Sequence, residues 1–124
     1  MPTLLIVDDE SEICEFLKEF FKSDTQFNIL TATDPDAAIE ILKNVKPEGV
    51  LLDVKLKARK TGLDVLQAIR DISPNTKTIM VTSHTDYHTV ERARVLGAVG
   101  YVTKPFSLEY LESTVHTRVA SLFT

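Results

Sequence analysis

A single cysteine, Cys14, stands among 124 residues. That excludes an internal disulfide framework and any zinc site built from several thiolates. Nowhere does an apolar run approach the roughly 18 residues that a membrane-spanning helix needs. The N-terminus passes from Met-Pro-Thr into a short apolar stretch that ends at two aspartates, without the basic lead-in of a secretory signal. An excess of positive charge is missing too. Fourteen Lys and Arg against 18 Asp and Glu leave −4, a poor match to a phosphate backbone. Internal repeats, low-complexity tracts and composition breaks that would mark a linker are also lacking. These absences describe one soluble, cytoplasmic domain over residues 1–124, with no direct hold on nucleic acid or membrane.

What is present suits a packed fold. Hydrophobic residues make up 44% and charged residues 26%, near the globular average. By surface scaling, a folded chain of 13.9 kDa exposes about 6,700 Å² where the unfolded chain exposes about 20,000 Å². A core of that size needs no disulfide or metal to hold it.

Two patterns alternate along the chain. Leu4-Leu5-Ile6-Val7 stops at Asp8, Gly49-Val50-Leu51-Leu52 at Asp53, Thr78-Ile79-Met80-Val81 at Thr82, and Val99-Gly100-Tyr101-Val102 just before Thr103-Lys104-Pro105. Runs this short and apolar predict strands buried on both faces of a parallel sheet. The more polar segment Phe27 to Thr33 suits a sheet edge. Between the runs lie helical stripes: Ile13, Phe16, Leu17 and Phe20; then Ala38, Ile41, Leu42 and Val45, opened by Asp34 and Pro35. A third stripe, Val65, Leu66, Ile69 and Ile72, ends at Ser73-Pro74. The fourth, Val90, Ala93 and Leu96 within Asp86 to Leu96, is weak and predicts a loosely docked helix. The fifth, opened by Ser107, is Leu108, Leu111, Val115, Val119 and Leu122. Five strands alternating with five helices predict an open, doubly wound α/β sheet with helices on both faces.

The abrupt strand ends carry the chemistry. In such sheets ligands bind beyond the carboxyl ends of the strands, at the topological switch point. Asp8, Asp9, Asp53, Thr82 and Lys104 all fall there. Singly, each has an ordinary explanation as a helix cap, turn opener or surface side chain; together they form one rim. Three carboxylates within about 5 Å repel by roughly 3 kcal/mol per pair at an effective dielectric of 20. Lys104 offsets part of this, and the remainder calls for a divalent cation, with all-oxygen ligands suited to Mg²⁺. Asp53, at the centre, is then a carboxylate nucleophile toward phosphorus.

The set Val7-Asp8-Asp9, Leu51-Leu52-Asp53, Val81-Thr82-Ser83 and Gly100 to Phe106, in this order and over essentially the whole chain, resembles the receiver domain of two-component response regulators. The resemblance implies strand order 2-1-3-4-5 and phosphorelay signal transduction. Asp53 would be the phosphoacceptor. Asp8 and Asp9 would support Mg²⁺, with Asp9 the direct ligand and the Lys55 carbonyl a further one. Thr82 would be the switch hydroxyl, Lys104 the lysine beside the acyl phosphate, and Tyr101 the switch aromatic. A cis peptide would precede Pro105. The donor would be a sensor histidine kinase or a phosphotransfer protein. The reader would be a downstream effector protein, a covalently linked output domain or a phosphorylation-dependent homodimer partner, contacting the fourth helix, fifth strand and fifth helix. "Enzyme" would apply only in the self-modifying sense.

The loop after Asp53, Val54 to Gly62, departs from the family pattern. It lacks the usual proline, is about one residue longer, and carries Lys55, Lys57, Arg59 and Lys60. This charge either steers an anionic donor or is a solvated loop that balances the acidic rim. In the family that the chain resembles, the positions two residues beyond the acceptor and the switch threonine tune hydrolysis of the acyl phosphate, and Lys55 and His84 there would imply a moderately long-lived phospho-state. His84 and His88 are four apart, but Thr85 follows where a zinc protease has glutamate, and no third ligand is evident. Cys14, beside the first stripe, is expected to be a half-buried small hydrophobe. A haloacid-dehalogenase-type aspartyl phosphohydrolase would need a second aspartate two residues after its nucleophile, where Lys55 stands. A phosphorylation-independent binding module would need the loss of a site residue. A flavodoxin-like carrier would need a phosphate loop where Asp8, Asp9 and Glu10 stand.

Overall fold

The computed structural model describes residues 1–23, 27–56, 61–82 and 87–123. Five strands, β1 (Thr3–Val7), β2 (Asn28–Ala32), β3 (Gly49–Asp53), β4 (Lys77–Thr82) and β5 (Gly100–Thr103), form one parallel sheet of order β2-β1-β3-β4-β5. Helices α1 (Ser11–Lys22), α2 (Pro35–Val45), α3 (Gly62–Ile72) and α4 (Tyr87–Val95) fill the crossovers. The last helix, α5, runs through Leu108–Tyr110, a π-helical turn Leu111–Val115, and His116–Ser121.

Side chains alternate across a strand, so the continuous apolar runs feed two cores. Leu4, Ile6, Leu51, Ile79, Val81 and Val102 face α1 and α5, with Leu17, Phe21, Leu111 and Val115. Leu5, Val7, Val50, Leu52 and Met80 face the other helices, with Ala38, Leu42, Val65, Leu66 and Ile69. The exposed surface, 6933 Å², agrees with the scaling for this mass.

Local chemistry sets the helix starts. Asp34 accepts the Ala37 N–H at 2.8 Å and Pro35 occupies the first turn of α2; Ser107 accepts the Tyr110 N–H at 3.0 Å. Thr61 and Asp64 cap each other reciprocally at the start of α3, a T-x-x-D pattern that marks this start in the sequence.

Three expectations shift. The buried face of α1 is Cys14, Leu17 and Phe21, about one residue round from the expected stripe, and Phe16 is 46% exposed. Ile13 and Phe20 keep partial contact. Cys14 is therefore fully buried, not half-buried. The displacement follows from Phe21, whose ring meets Phe27 edge-on at a centroid distance of 6.0 Å and stacks against His116 at 6.3 Å. Secondly, β5 is not buried on both faces. It is an edge strand, Tyr101 is 36% exposed, and Val99, 58% exposed, lies outside it. The cause is α4, which buries only Ala93, as its weak stripe implies. Lastly, Val45 and Leu108 end their stripes exposed, since each sits at a helix terminus beyond the sheet.

Candidate functional site

Strand register brings the members of the rim to one end of the sheet. Val7 pairs with Leu52, Asp53 with Val81, and Thr82 with Thr103. Asp8 and Asp53 thus emerge at one level from β1 and β3, which are adjacent where the strand order reverses, while Thr82 lies one residue further along β4 and Lys104 two residues further, just past β5, from where its long side chain reaches back.

Lys104 ties the rim together. Its Nζ lies 2.7 Å from Asp8 Oδ2 and 3.1 Å from Asp53 Oδ2, with Glu10 Oε2 at 4.0 Å. The other oxygens of the two aspartates take backbone donors. The Glu10 N–H donates to Asp8 Oδ1 at 2.9 Å and the Lys55 N–H to Asp53 Oδ1 at 3.0 Å. Asp9 brings a third carboxylate, and oxygens of Asp8, Asp9 and Asp53 all lie within 4.8 Å of one another. Three negative charges against one ammonium leave a deficit that an oxygen-seeking divalent cation matches. This donor set fits Mg²⁺ better than a thiolate- or imidazole-seeking metal.

Burial governs the protonation of these groups. Desolvation pushes the Asp53 pKa above its ordinary value, against the Lys55 N–H and the Lys104 charge, which pull it down. Burial also works against the charge of Lys104. The hydrogen bonds from Lys104 to Asp8 and Asp53, together with the charges of both aspartates, outweigh it, and the lysine pKa ends above its usual value. The pair is thus asymmetric: Lys104 gains from two carboxylates, whereas Asp53 shares its one cation with Asp8.

The surrounding backbone is tightly drawn. The Val54 N–H donates to Val81 O at 2.9 Å, the Gly62 N–H to Val54 O at 3.0 Å, and the Lys104 N–H to Thr82 O at 2.8 Å. A Cβ on Gly62 would lie 2.3 Å from Asp53 O and 2.8 Å from Val54 Cα, so only glycine admits this close return of the loop to the acceptor strand. The Lys104–Pro105 peptide is cis. Beside Thr82 lies a cavity of about 240 Å³, walled by Val54, Met80, Ala93 and Gly100, with Tyr101 in its lining. Behind Asp8, the Cys14 thiol donates to Asp8 O at 3.3 Å, and burial, with the Asp8 charge, pushes its pKa up to about 11.

All the residues expected at the rim are therefore brought together: Asp8, Asp9, Asp53, Thr82, Lys104 and the Lys55 backbone. Lys57, Arg59, Lys60 and His84 lie outside the described residues, and His88 is exposed on α4. Sequence reasoning missed Gly62, whose position opening α3 just after the acceptor loop was the available signal. It also missed Tyr110, which no pattern marks. Among the described residues, no helix is long and apolar enough to cross a membrane.

Comparison with known proteins agrees with this fold. Residues 4–116 match the family model described as the response regulator receiver domain. A probable transcriptional regulatory protein, TcrX of Mycobacterium tuberculosis, is 35% identical over 86% of this chain and 45% of its own length. Sporulation initiation phosphotransferase F of Bacillus subtilis is 28% identical over 90% of this chain and 89% of its own. The chain spans about half the length of several other curated relatives. In fold it is similar to the response regulator domain of Thermotoga maritima CheB, with a TM-score of 0.87 and 23% identity over 100% of this chain and 98% of that one. With the family model matched over residues 4–116 of its 124, the chain belongs to the response regulator receiver domains.

Proposed function

We propose that this receiver accepts a phosphoryl group on Asp53 from a phosphohistidine of a sensor kinase or phosphotransfer protein, and that the modification resets a partner-binding face. The observation that carries this reading is the placement of Asp53. It is buried and centrally held, with Oδ1 fixed by the Lys55 N–H at 3.0 Å and Oδ2 by Lys104 at 3.1 Å.

An Asp53 carboxylate oxygen attacks phosphorus in line, the N–P bond breaks, and the imidazole leaves with its electron pair. Lys104 then faces an acyl phosphate and stabilises its charge. Asp8, Asp9, Asp53 and the Lys55 carbonyl would hold Mg²⁺, which when bound neutralises charge on the transferring group. Thr82 moves toward the phosphoryl oxygens, and Tyr101 turns into the cavity beside it. The face formed by α4, β5 and α5 changes with them. Exposed Tyr87, Val95, Val99 and Tyr101 give that face apolar contact area for an effector, a linked output domain or a second copy. A phosphohydrolase reading is less favoured, because the residue two beyond Asp53 is a lysine whose amide braces the acceptor rather than a carboxylate that could move protons.

The test is labelling with a small acyl phosphate, with Mg²⁺ and with EDTA. Wild type takes up label only with metal, and Asp53→Asn takes up none; label on Asp53→Asn at the wild-type rate would refute the assignment. With Lys55 and His84 two residues beyond the acceptor and the switch threonine in the sequence, the label decays over minutes or longer, and a half-life of seconds contradicts that part.

A further inference from the structure

Lys104 has a flexible side chain, yet its ammonium must reach two carboxylates on different strands. A four-carbon stem does not place its own tip, so the placement comes from the backbone at 103–104. Two consecutive amides hold that backbone from opposite sides. On the strand side, the Lys104 N–H donates to Thr82 O at 2.8 Å. On the helix side, the Thr103 N–H donates to the hydroxyl oxygen of Tyr110 at 3.0 Å, and Thr103 Oγ1 lies 3.4 Å from the same oxygen. A half-buried amide at the end of an edge strand needs an acceptor, and here a side chain from the first turn of α5 supplies it.

Tyr110 is itself firmly set. Its N–H donates to the Ser107 cap at 3.0 Å, and its ring stacks on Phe106 at a centroid distance of 6.3 Å with 15° between planes. The span from Thr103 to Phe106 is therefore clamped at its start by the tyrosine hydroxyl and at its end by the tyrosine ring. The residues inside the clamp are Lys104 and Pro105.

We infer that Tyr110 is a positioning residue for phosphoryl transfer: its hydroxyl, through the Thr103 amide, fixes the backbone from which Lys104 reaches Asp53 and Asp8. The inference rests on the phosphoacceptor reading above and adds a residue outside the acidic rim. It also gives α5 a direct mechanical link to the reacting centre, one residue before its π-helical turn.

The experiment is a double-mutant cycle in the full chain, with Tyr110→Phe and Lys104→Ala, using a small acyl phosphate so that no partner protein takes part. Tyr110→Phe keeps the ring and the stack and removes only the oxygen. Loss of one hydrogen bond predicts labelling slower by about 2- to 10-fold, with an unchanged far-UV spectrum and cooperative melting. In the Lys104→Ala background the same change alters the rate less than about 1.5-fold, as coupling through the lysine requires. Where the alanine variant labels too slowly to follow, the same cycle is read from beryllofluoride affinity with Mg²⁺. Equal slowing in both backgrounds, or none in wild type, overturns the positioning role while leaving Asp53 as acceptor. Failure of wild type to take up any label overturns the acceptor reading itself.

Discussion

Asp53 combines burial with charge, and that combination has a measurable sign. Its folded pKa is raised by desolvation, so its contribution to stability is full below the unfolded value near pH 4 and is lost as pH rises through the folded value. Metal-free wild type therefore loses stability through this residue on going from about pH 4 to neutrality. Asp53→Asn removes that loss: without divalent cation it melts above wild type at pH 7, and the two converge near pH 4. Identical melting at pH 7 would show that Lys104 already neutralises the burial cost. Gly62 and Cys14 are tighter constraints than their residue types suggest. A methyl at Gly62 would overlap Asp53 O and Val54 Cα, so Gly62→Ala costs about 1–3 kcal/mol or more, read from urea denaturation, and slows labelling of Asp53. Cys14, buried with its pKa near 11, reacts with iodoacetamide at pH 8 at least about 100-fold more slowly in the folded chain than in urea. Comparable rates would mean that α1 does not seal the thiol.

Element by element, the helices differ in how firmly they are held, and the differences trace to individual side chains. On α1 the buried face turns on Phe21, not Phe16. Phe21→Ala is expected to cost about 3–5 kcal/mol and Phe16→Ala about 0.5 kcal/mol or less, compared by denaturant midpoints; equal costs would return Phe16 to the buried face. The spacing of Ile13, Phe16, Leu17 and Phe20 established a helix with an apolar side. It could not fix the rotation, because Phe21 is drawn in by Phe27 and His116, which come from β2's approach and from α5. The reverse holds for α4. Its poor stripe was legible, and the single buried residue Ala93 follows from it. The caps divide in the same way. Asp34 with Pro35 and Ser107 were readable because capping is local. Thr61 with Asp64 was equally local, yet lay hidden at the end of a loop dominated by basic residues.

Across the whole molecule, the rim is a point of stored repulsion inside a chain of net charge −4, and a bound cation should be felt as stability. Magnesium at ten times its Kd is expected to stabilise wild type by about 1.4 kcal/mol, by mass action on the folded state alone. Asp9→Asn, which removes a carboxylate from the cluster, should abolish most of that gain, as measured by thermal melting with and without Mg²⁺. An undiminished gain would place the metal elsewhere. The sequence by itself determined the alternation of strands and helices, the parallel sheet and the chemical identity of the rim. Apolar periodicity and abrupt strand ends are written in consecutive residues, and crossover handedness leaves few ways to assemble them. Only the tertiary structure decided which oxygen of Asp53 meets Lys104, how far α1 is rotated, why residue 62 has no room for a side chain, and that Tyr110 reaches back to Thr103. Each of these depends on distances between segments that meet only when the sheet closes, and no local pattern encodes such a distance.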